Sequence, residues 1–437
     1  MTTDNLKKDT ARCEACAVSQ NGVKVYSLKS PGLHSFCISL YARAGVLFEE
    51  KRRNGVSHFV EHVVFRNINS LMGGNLYDTL DRLGLTFTAA TYKEFMQFCI
   101  VGESSKFRDA AEILALVFEE LSQDRVSSSD LEAERDRIRA EIREYDEKAS
   151  LDYLVKKSAW KDTPAELMIT GTAGSVSKIT LSACERERKR IFSKDNFFFY
   201  VTGNFGENDV GYLCSLAEKY KFEESVCCDN VCPLPCEWMQ RTPGVLTKDS
   251  AYYMVEMSFD MDTEKFSKPQ RGLFYDIMFA GENCRFFRTL SEELGYIYSY
   301  DAKIEEYKNA GNISVSYEVS LKDLYESISA SVNVFNGLKN NALGLSRAKV
   351  YYTDNACLAL DNAEELNWNM AYENYILDEK IKSIDDRAAR YDAVSEQNIM
   401  LMAREIFVTS NLVVGVKGRK KKIDTEKILG ILAGLNE

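Results

Sequence analysis

The sequence predicts an α+β fold in two related halves, and three observations carry that reading. Strand-like runs (Ser35–Ala44, Tyr252–Phe259, Ile313–Val319) stand apart from long helical stretches such as Lys106–Leu121 and Leu321–Leu338. Such clustering, rather than strict strand–helix alternation, is the α+β pattern. Each half closes on an apolar strand with glycine, FFFYVTGNF at residues 197–205 and LVVGVKG at 412–418. Three of the six prolines, Pro233, Pro235 and Pro243, punctuate the chain between the halves and mark a boundary. A chain of 437 residues suits two or three domains. The expected division is a first half over 1–226, a Cys- and Pro-containing linker over 227–243, and a second half over 244–437.

In chain order, Ser35–Ala44 is the first strand-like run. Asn54-Gly55 is a turn signal, with Ser57 placed to cap the helix that follows. That helix carries His58-Phe59-Val60-Glu61-His62, two of the three histidines in the protein. Positions four apart share one helix face, so both imidazoles can reach one metal ion, with the Glu61 carboxylate beside it as a proton acceptor. The order His-x-x-Glu-His is the inverzincin signature. The apolar continuation Val63, Val64, Phe65 predicts burial, and buried His and Glu need partners. A catalytic zinc takes three protein ligands and leaves one position open, so a third ligand is expected from a distant helix. Asp130–Lys148 has strong helical propensity, and its Glu134 and Glu141 lie two turns apart on the face of Ile138. The remaining charges of that helix read as a solvated, ion-paired surface.

Composition sets limits. The apolar fraction of 45% is ordinary for a globular chain. The net charge of −11 disfavours nucleic acid and suits a basic peptide or simply a solvated surface. No apolar run long enough to span a membrane occurs. The N-terminus lacks an apolar signal core and carries Asp4, Asp9 and Glu14, unlike a transit peptide, so a cytoplasmic protein is expected. Of twelve cysteines, Cys37, Cys99, Cys184, Cys214, Cys284 and Cys357 read as small core residues. Cys13/Cys16 and Cys227/Cys228/Cys232/Cys236 fit no standard zinc module, so reduced thiols are the expected state and a structural zinc the lesser one.

The segment Glu134–Glu141 (ERDRIRAE) resembles the E-x-x-x-I-x-x-E helix of the pitrilysin/insulinase clan, peptidase family M16. Asn21–Tyr26, Leu40–Glu49 (LYARAGVLFE) and Leu83–Phe98 (LGLTFTAATYKEFMQF) are similar to further family segments, so the resemblance spans nearly the whole chain. It implies two α+β halves of LuxS/MPP-like metallohydrolase type, each an antiparallel sheet with helices on one face. It makes Glu141 the third ligand of a single Zn2+ with His58 and His62, Glu61 the base, and Glu134 a supporting catalytic residue. It places the substrate as an added strand along Thr88, Ala89, Ala90 and Thr91, with Thr88 where the family has asparagine. An edge strand binds extended peptides through free backbone groups. In the second half, Phe286–Tyr300 (FFRTLSEELGYIYSY) resembles the segment that supplies an arginine and a tyrosine. Tyr298 matches the tyrosine, Ser291 stands at the arginine position, and Arg288 lies one turn earlier. Serine lacks the arginine fork. The resemblance therefore implies an M16B-type zinc endopeptidase that trims a peptide precursor or leader, paired with a second M16B subunit supplying Arg and Tyr. The alternatives are a self-sufficient homodimer of the mitochondrial presequence type using Arg288 or Tyr298, and a non-catalytic structural subunit.

Overall fold

The computed structural model describes residues 14–144, 150–224, 244–379, 381 and 384–436. The chain forms two compact units. The first comprises Met1–Tyr145, Leu167–Cys232 and Cys357–Asp385; the second comprises Asp146–Glu166, Pro233–Ala356 and Asp386–Glu437. The division is thus not one cut near the prolines: each half of the sequence lends a segment to the other unit. The linker 227–243, with its four cysteines, and Cys13 lie outside the described residues.

In the first unit, β1 (Ala15–Val18), β2 (Lys24–Lys29), β3 (Ser35–Arg43), β4 (Thr86–Thr91), β5 (Phe95–Glu103) and β6 (Phe197–Gly203) form one sheet in the order β1-β2-β6-β3-β5-β4. Its helices include α1 (Val56–Leu71), α2 (Leu76–Leu83), α3 (Phe107–Ala115) and α4 (Ser128–Glu144). The second unit opens with α5 (Leu151–Ala159). Its sheet contains β7 (Val245–Asp249), β8 (Tyr253–Met261), β9 (Tyr300–Glu306), β10 (Gly311–Val319) and β11 (Leu412–Gly418), in the order β7-β11-β8-β10-β9. That order repeats β2-β6-β3-β5-β4 strand for strand. The pairs β2–β6 and β7–β11 are parallel and every other pair is antiparallel, so each expected antiparallel sheet carries one parallel ladder.

The α+β class and the two-half plan hold, and both faces of each sheet are covered. On β3, Phe36, Ile38, Leu40 and Ala42 join Phe59, Val60 and Val63 of α1 in one core. Its alternate residues turn the other way: Tyr41 packs with Leu366 and Met370 of the helix Ala363–Ala371, and Cys37 with Ala363. A strand buried on both faces reads as a near-continuous apolar run, as Phe36–Ala42 does apart from the buried Ser39. In the second unit, Val255, Met257 and Phe259 of β8 face one core while Met254 packs with Leu151 and Val155 of α5. Burying each of those two α5 side chains contributes about 1.5–3 kcal/mol. Among the described residues, no helix is long and apolar enough to cross a membrane.

Candidate metal centre

The site is built on α1, and its start is fixed from outside the helix. Gly55, at the N-cap, has φ 91°. A β-carbon there would sit 2.7 Å from the carbonyl oxygen of Thr170, so only glycine fits. Ser57 lies inside the helix rather than capping it, and its hydroxyl accepts from the Gly45 amide at 3.1 Å. The cap is the buried carboxylate of Glu49. It accepts from the amides of Gly55 and Ser57, both at 2.8 Å, and from Asn54 Nδ2 at 3.2 Å. Burial pushes the Glu49 carboxyl up and these hydrogen bonds pull it down, leaving it raised. A carboxylate acceptor at a helix N-terminus satisfies orphan amides and opposes the dipole.

From this anchored start, His58 and His62 project from one face of α1, their ring centroids 4.7 Å apart. The helix α4 packs against α1, and Glu141 on α4 faces both rings. His58 Nε2 lies 3.7 Å from Glu141 Oε1, and His62 Nε2 lies 3.8 Å from Glu141 Oε2. These separations are too long for hydrogen bonds. They are close to the ~3.3 Å between two corners of a tetrahedron with zinc–ligand arms of 2.0–2.1 Å. The donor set, two imidazoles and a carboxylate, is that of a catalytic zinc site. The His58 ring is pushed down to about 3, chiefly by burial and secondly by His62, so it is held in the neutral form that a metal requires.

Glu61 closes the same space: one ligand atom each from His58, Glu61 and His62 fall within 4.8 Å of one another. Two carboxylates therefore compete for the third position, and their other bonds separate them. Glu61 Oε2 is taken by the Thr91 hydroxyl, which donates to it at 2.5 Å, whereas Glu141 turns one oxygen to each histidine. Burial raises the Glu61 carboxyl, against the opposing pull of Thr91 and His62, which suits a proton acceptor. Glu134 sits behind His62, with Oε2 3.3 Å from Nδ1. It also accepts from Arg66 Nε at 3.0 Å and lies 3.3 Å from Arg137 NH1. Burial alone would raise Glu134, which is 1% exposed; the His62 and Arg66 hydrogen bonds and the two guanidinium charges hold it below the usual carboxylate range. A carboxylate behind a ligating histidine fixes its tautomer and orientation.

The first unit thus brings together His58, Glu61, His62, Glu134, Glu141 and Thr91. Thr88, Ala89, Ala90 and Thr91 all lie on β4, the sheet edge, pairing with Cys99, Phe98, Gln97 and Met96 of β5. The Thr91 hydroxyl turns to Glu61. Tyr298 and Arg288 belong to the second unit. Tyr298 is 94% exposed. Arg288 pairs with Glu293 at 3.3 Å, and Ser291 lies within the π-helical turn Arg288–Glu293 that holds both. Sequence reasoning gave no role to Glu49, although it ends the quoted LYARAGVLFE segment.

A family model described as Insulinase (Peptidase family M16) matches residues 24–173, the span that holds His58, His62 and Glu141. Over that span the chain is similar to the M16 peptidases. An uncharacterized zinc protease of Rickettsia felis is 22% identical over 91% of this chain and 96% of its own length. Cytochrome b-c1 complex subunit 1 of mouse mitochondria is 26% identical over 47% of this chain and 42% of its own. The solved structure of a Helicobacter pylori protease has the same fold, with a TM-score of 0.79 at 14% identity over 93% of this chain and 99% of that one.

Proposed function

We propose that this chain is a zinc-dependent endopeptidase that cuts extended peptides, the catalytic member of a pair with a second M16 subunit. The observation that carries the reading is the convergence of His58 and His62 Nε2 on the two oxygens of Glu141, with Glu61 alongside. His58, His62 and Glu141 would hold one zinc per chain. The ion, when bound, supplies Lewis-acid polarisation of the scissile carbonyl and acidifies water. Glu61 takes the proton of the attacking water and returns it to the leaving amine. Glu134 keeps the His62 ring turned toward the site, and Thr91 fixes the Glu61 rotamer. The open edge of β4 offers backbone donors and acceptors to a peptide laid alongside it. Ser291 occupies the place of the family arginine, so an arginine and a tyrosine are expected from a partner, and the proposed substrate is a peptide precursor or leader. The test is cleavage of an unstructured peptide mixture with wild type, chelator-treated protein and Glu61→Gln. Cutting only by zinc-replete wild type supports the reading; equal cutting by Glu61→Gln removes Glu61 as the base.

The likeness to a respiratory-complex subunit favours a second reading, a chain that assembles without cutting. It predicts no turnover with any added M16 partner, although the site residues are all in place.

A further inference from the structure

The second unit contains a cleft of about 510 Å³ with no role in the reading above. Its walls carry three guanidiniums, Arg285, Arg288 and Arg347, and no carboxylate is among its described lining residues. Two of the three are held by neutral acceptors. Arg285 donates to the carbonyls of Asn341 and Leu343 and to Asn341 Oδ1, at 2.6–3.0 Å. Arg347 donates to the carbonyls of Ala280 and Asp276, at 3.3 and 3.4 Å. Among the described residues, Arg288 has an ion-pair partner, Glu293 at 3.3 Å, and both of those side chains are more than half exposed, so water screens the pair. Arg285 caps the helix Leu324–Asn340 at its C-terminus, which accounts for about half a negative charge. Neither Arg288 nor Arg347 is needed for that cap. Arg347 likewise donates into the C-terminus of the helix Lys268–Phe279 and interacts with the Asp276 carboxylate, so the positive balance of the cleft is carried chiefly by Arg288, whose ion pair is screened by water. Burial and the neighbouring Arg288 depress Arg285, the response of a cation lacking a counter-charge.

We propose that this cleft binds a small organic anion bearing a phosphate or carboxylate group. A guanidinium fork matches either group through two parallel hydrogen bonds. Backbone carbonyls already fix Arg285 and Arg347 through some of their N–H donors, so little side-chain entropy remains to be lost when the remaining donors meet a ligand. Ile277, Val334 and Leu343 line the rest of the cleft and suit a short apolar body. The volume lies in the range of small-molecule sites, about 300–1,000 Å³. The site lies wholly in the second unit and stands whether or not the zinc centre cuts peptides.

The experiment titrates the full chain with pyrophosphate and, separately, citrate by calorimetry at constant ionic strength. The expected result is saturable one-site binding of at least one probe, weakened about tenfold or more in Arg288→Gln/Arg347→Gln. The tighter probe identifies the phosphate or the carboxylate source. A far-ultraviolet melt checks that the double variant folds; should it not, Arg288→Gln alone serves, because that side chain is exposed. No saturable binding of either probe up to about 10 mM, or unchanged affinity in the folded variant, overturns the site.

Discussion

Replacing Glu134 by glutamine should weaken zinc binding while leaving all three proposed ligands in place. The buried carboxylate faces only donors: His62 Nδ1, Arg66 and Arg137. An amide of the same size keeps one oxygen and turns an NH2 group toward cations and an N–H, so one contact becomes donor against donor. The His62 ring then loses its fixed tautomer, and Arg66 loses the counter-charge it shares with Glu134. Loss of the group behind a ligating histidine typically costs about 10–100-fold in metal affinity, or ~1.4–2.7 kcal/mol. The metal-free fold should lose a further ~1–3 kcal/mol through the broken charge-assisted bonds. Competition against a chromophoric chelator measures the first effect, and urea unfolding of metal-free protein measures the second. Glu132→Gln on the same helix is the control, because Glu132 is exposed and pairs only with Arg135. If folded Glu134→Gln bound zinc as tightly as wild type, the assigned role of Glu134 would be wrong.

Three further outcomes follow from the same geometry. Thr91→Val should cut turnover about tenfold with zinc affinity intact, and Thr91→Ser should restore it; wild-type turnover in the valine variant would remove Thr91 from the site. Glu49→Gln should cost ~1–3 kcal/mol in urea unfolding, since one oxygen cannot serve both amides at the start of α1 and the charge facing the helix dipole is gone; an unchanged midpoint would refute the cap. The metal-free protein should lose stability as pH falls below 6.5, the ordinary value from which burial depresses His58 toward about 3. A histidine depressed in the fold contributes fully above its unfolded value and less with each unit below it, by up to ~1.4 kcal/mol per unit. The slope between pH 6.5 and 5 should shrink in His58→Gln, and an identical slope in that variant would contradict the buried neutral ring.

Much of the site was legible because helical periodicity is a local rule. The 3.6-residue repeat sets His58 with His62 and Glu134 with Glu141 on shared faces, whereas the roles of Glu134 and Glu141 came from the family resemblance; α1 and α4 then bring the two faces together. Glu49 and Thr91 were not legible as to role. Glu49 caps a helix that begins seven residues later, after a loop, and Thr91 reaches Glu61 from a different strand; both contacts depend on tertiary packing. The exchange of segments was hidden for the same reason. The helical pattern of Leu151–Ala159 predicts a helix but does not say which sheet will cover its Leu151 and Val155. One signal did exist: the apolar run of β3, interrupted only by Ser39, lacks the alternation of a strand with one wet face, and so pointed to a second covering layer. The parallel pairs β2–β6 and β7–β11 join strands far apart in sequence, which no local pattern encodes.

The most direct test of the central claim is the zinc coordination sphere, read by X-ray absorption at the zinc edge on the loaded protein and on Glu141→Gln. The account predicts two imidazole nitrogens and one carboxylate oxygen at about 2.0–2.2 Å, with the carboxylate contribution changed in Glu141→Gln and intact in Glu61→Gln. A sphere that changes with Glu61 instead of Glu141, or a chain that takes up no zinc, would contradict it.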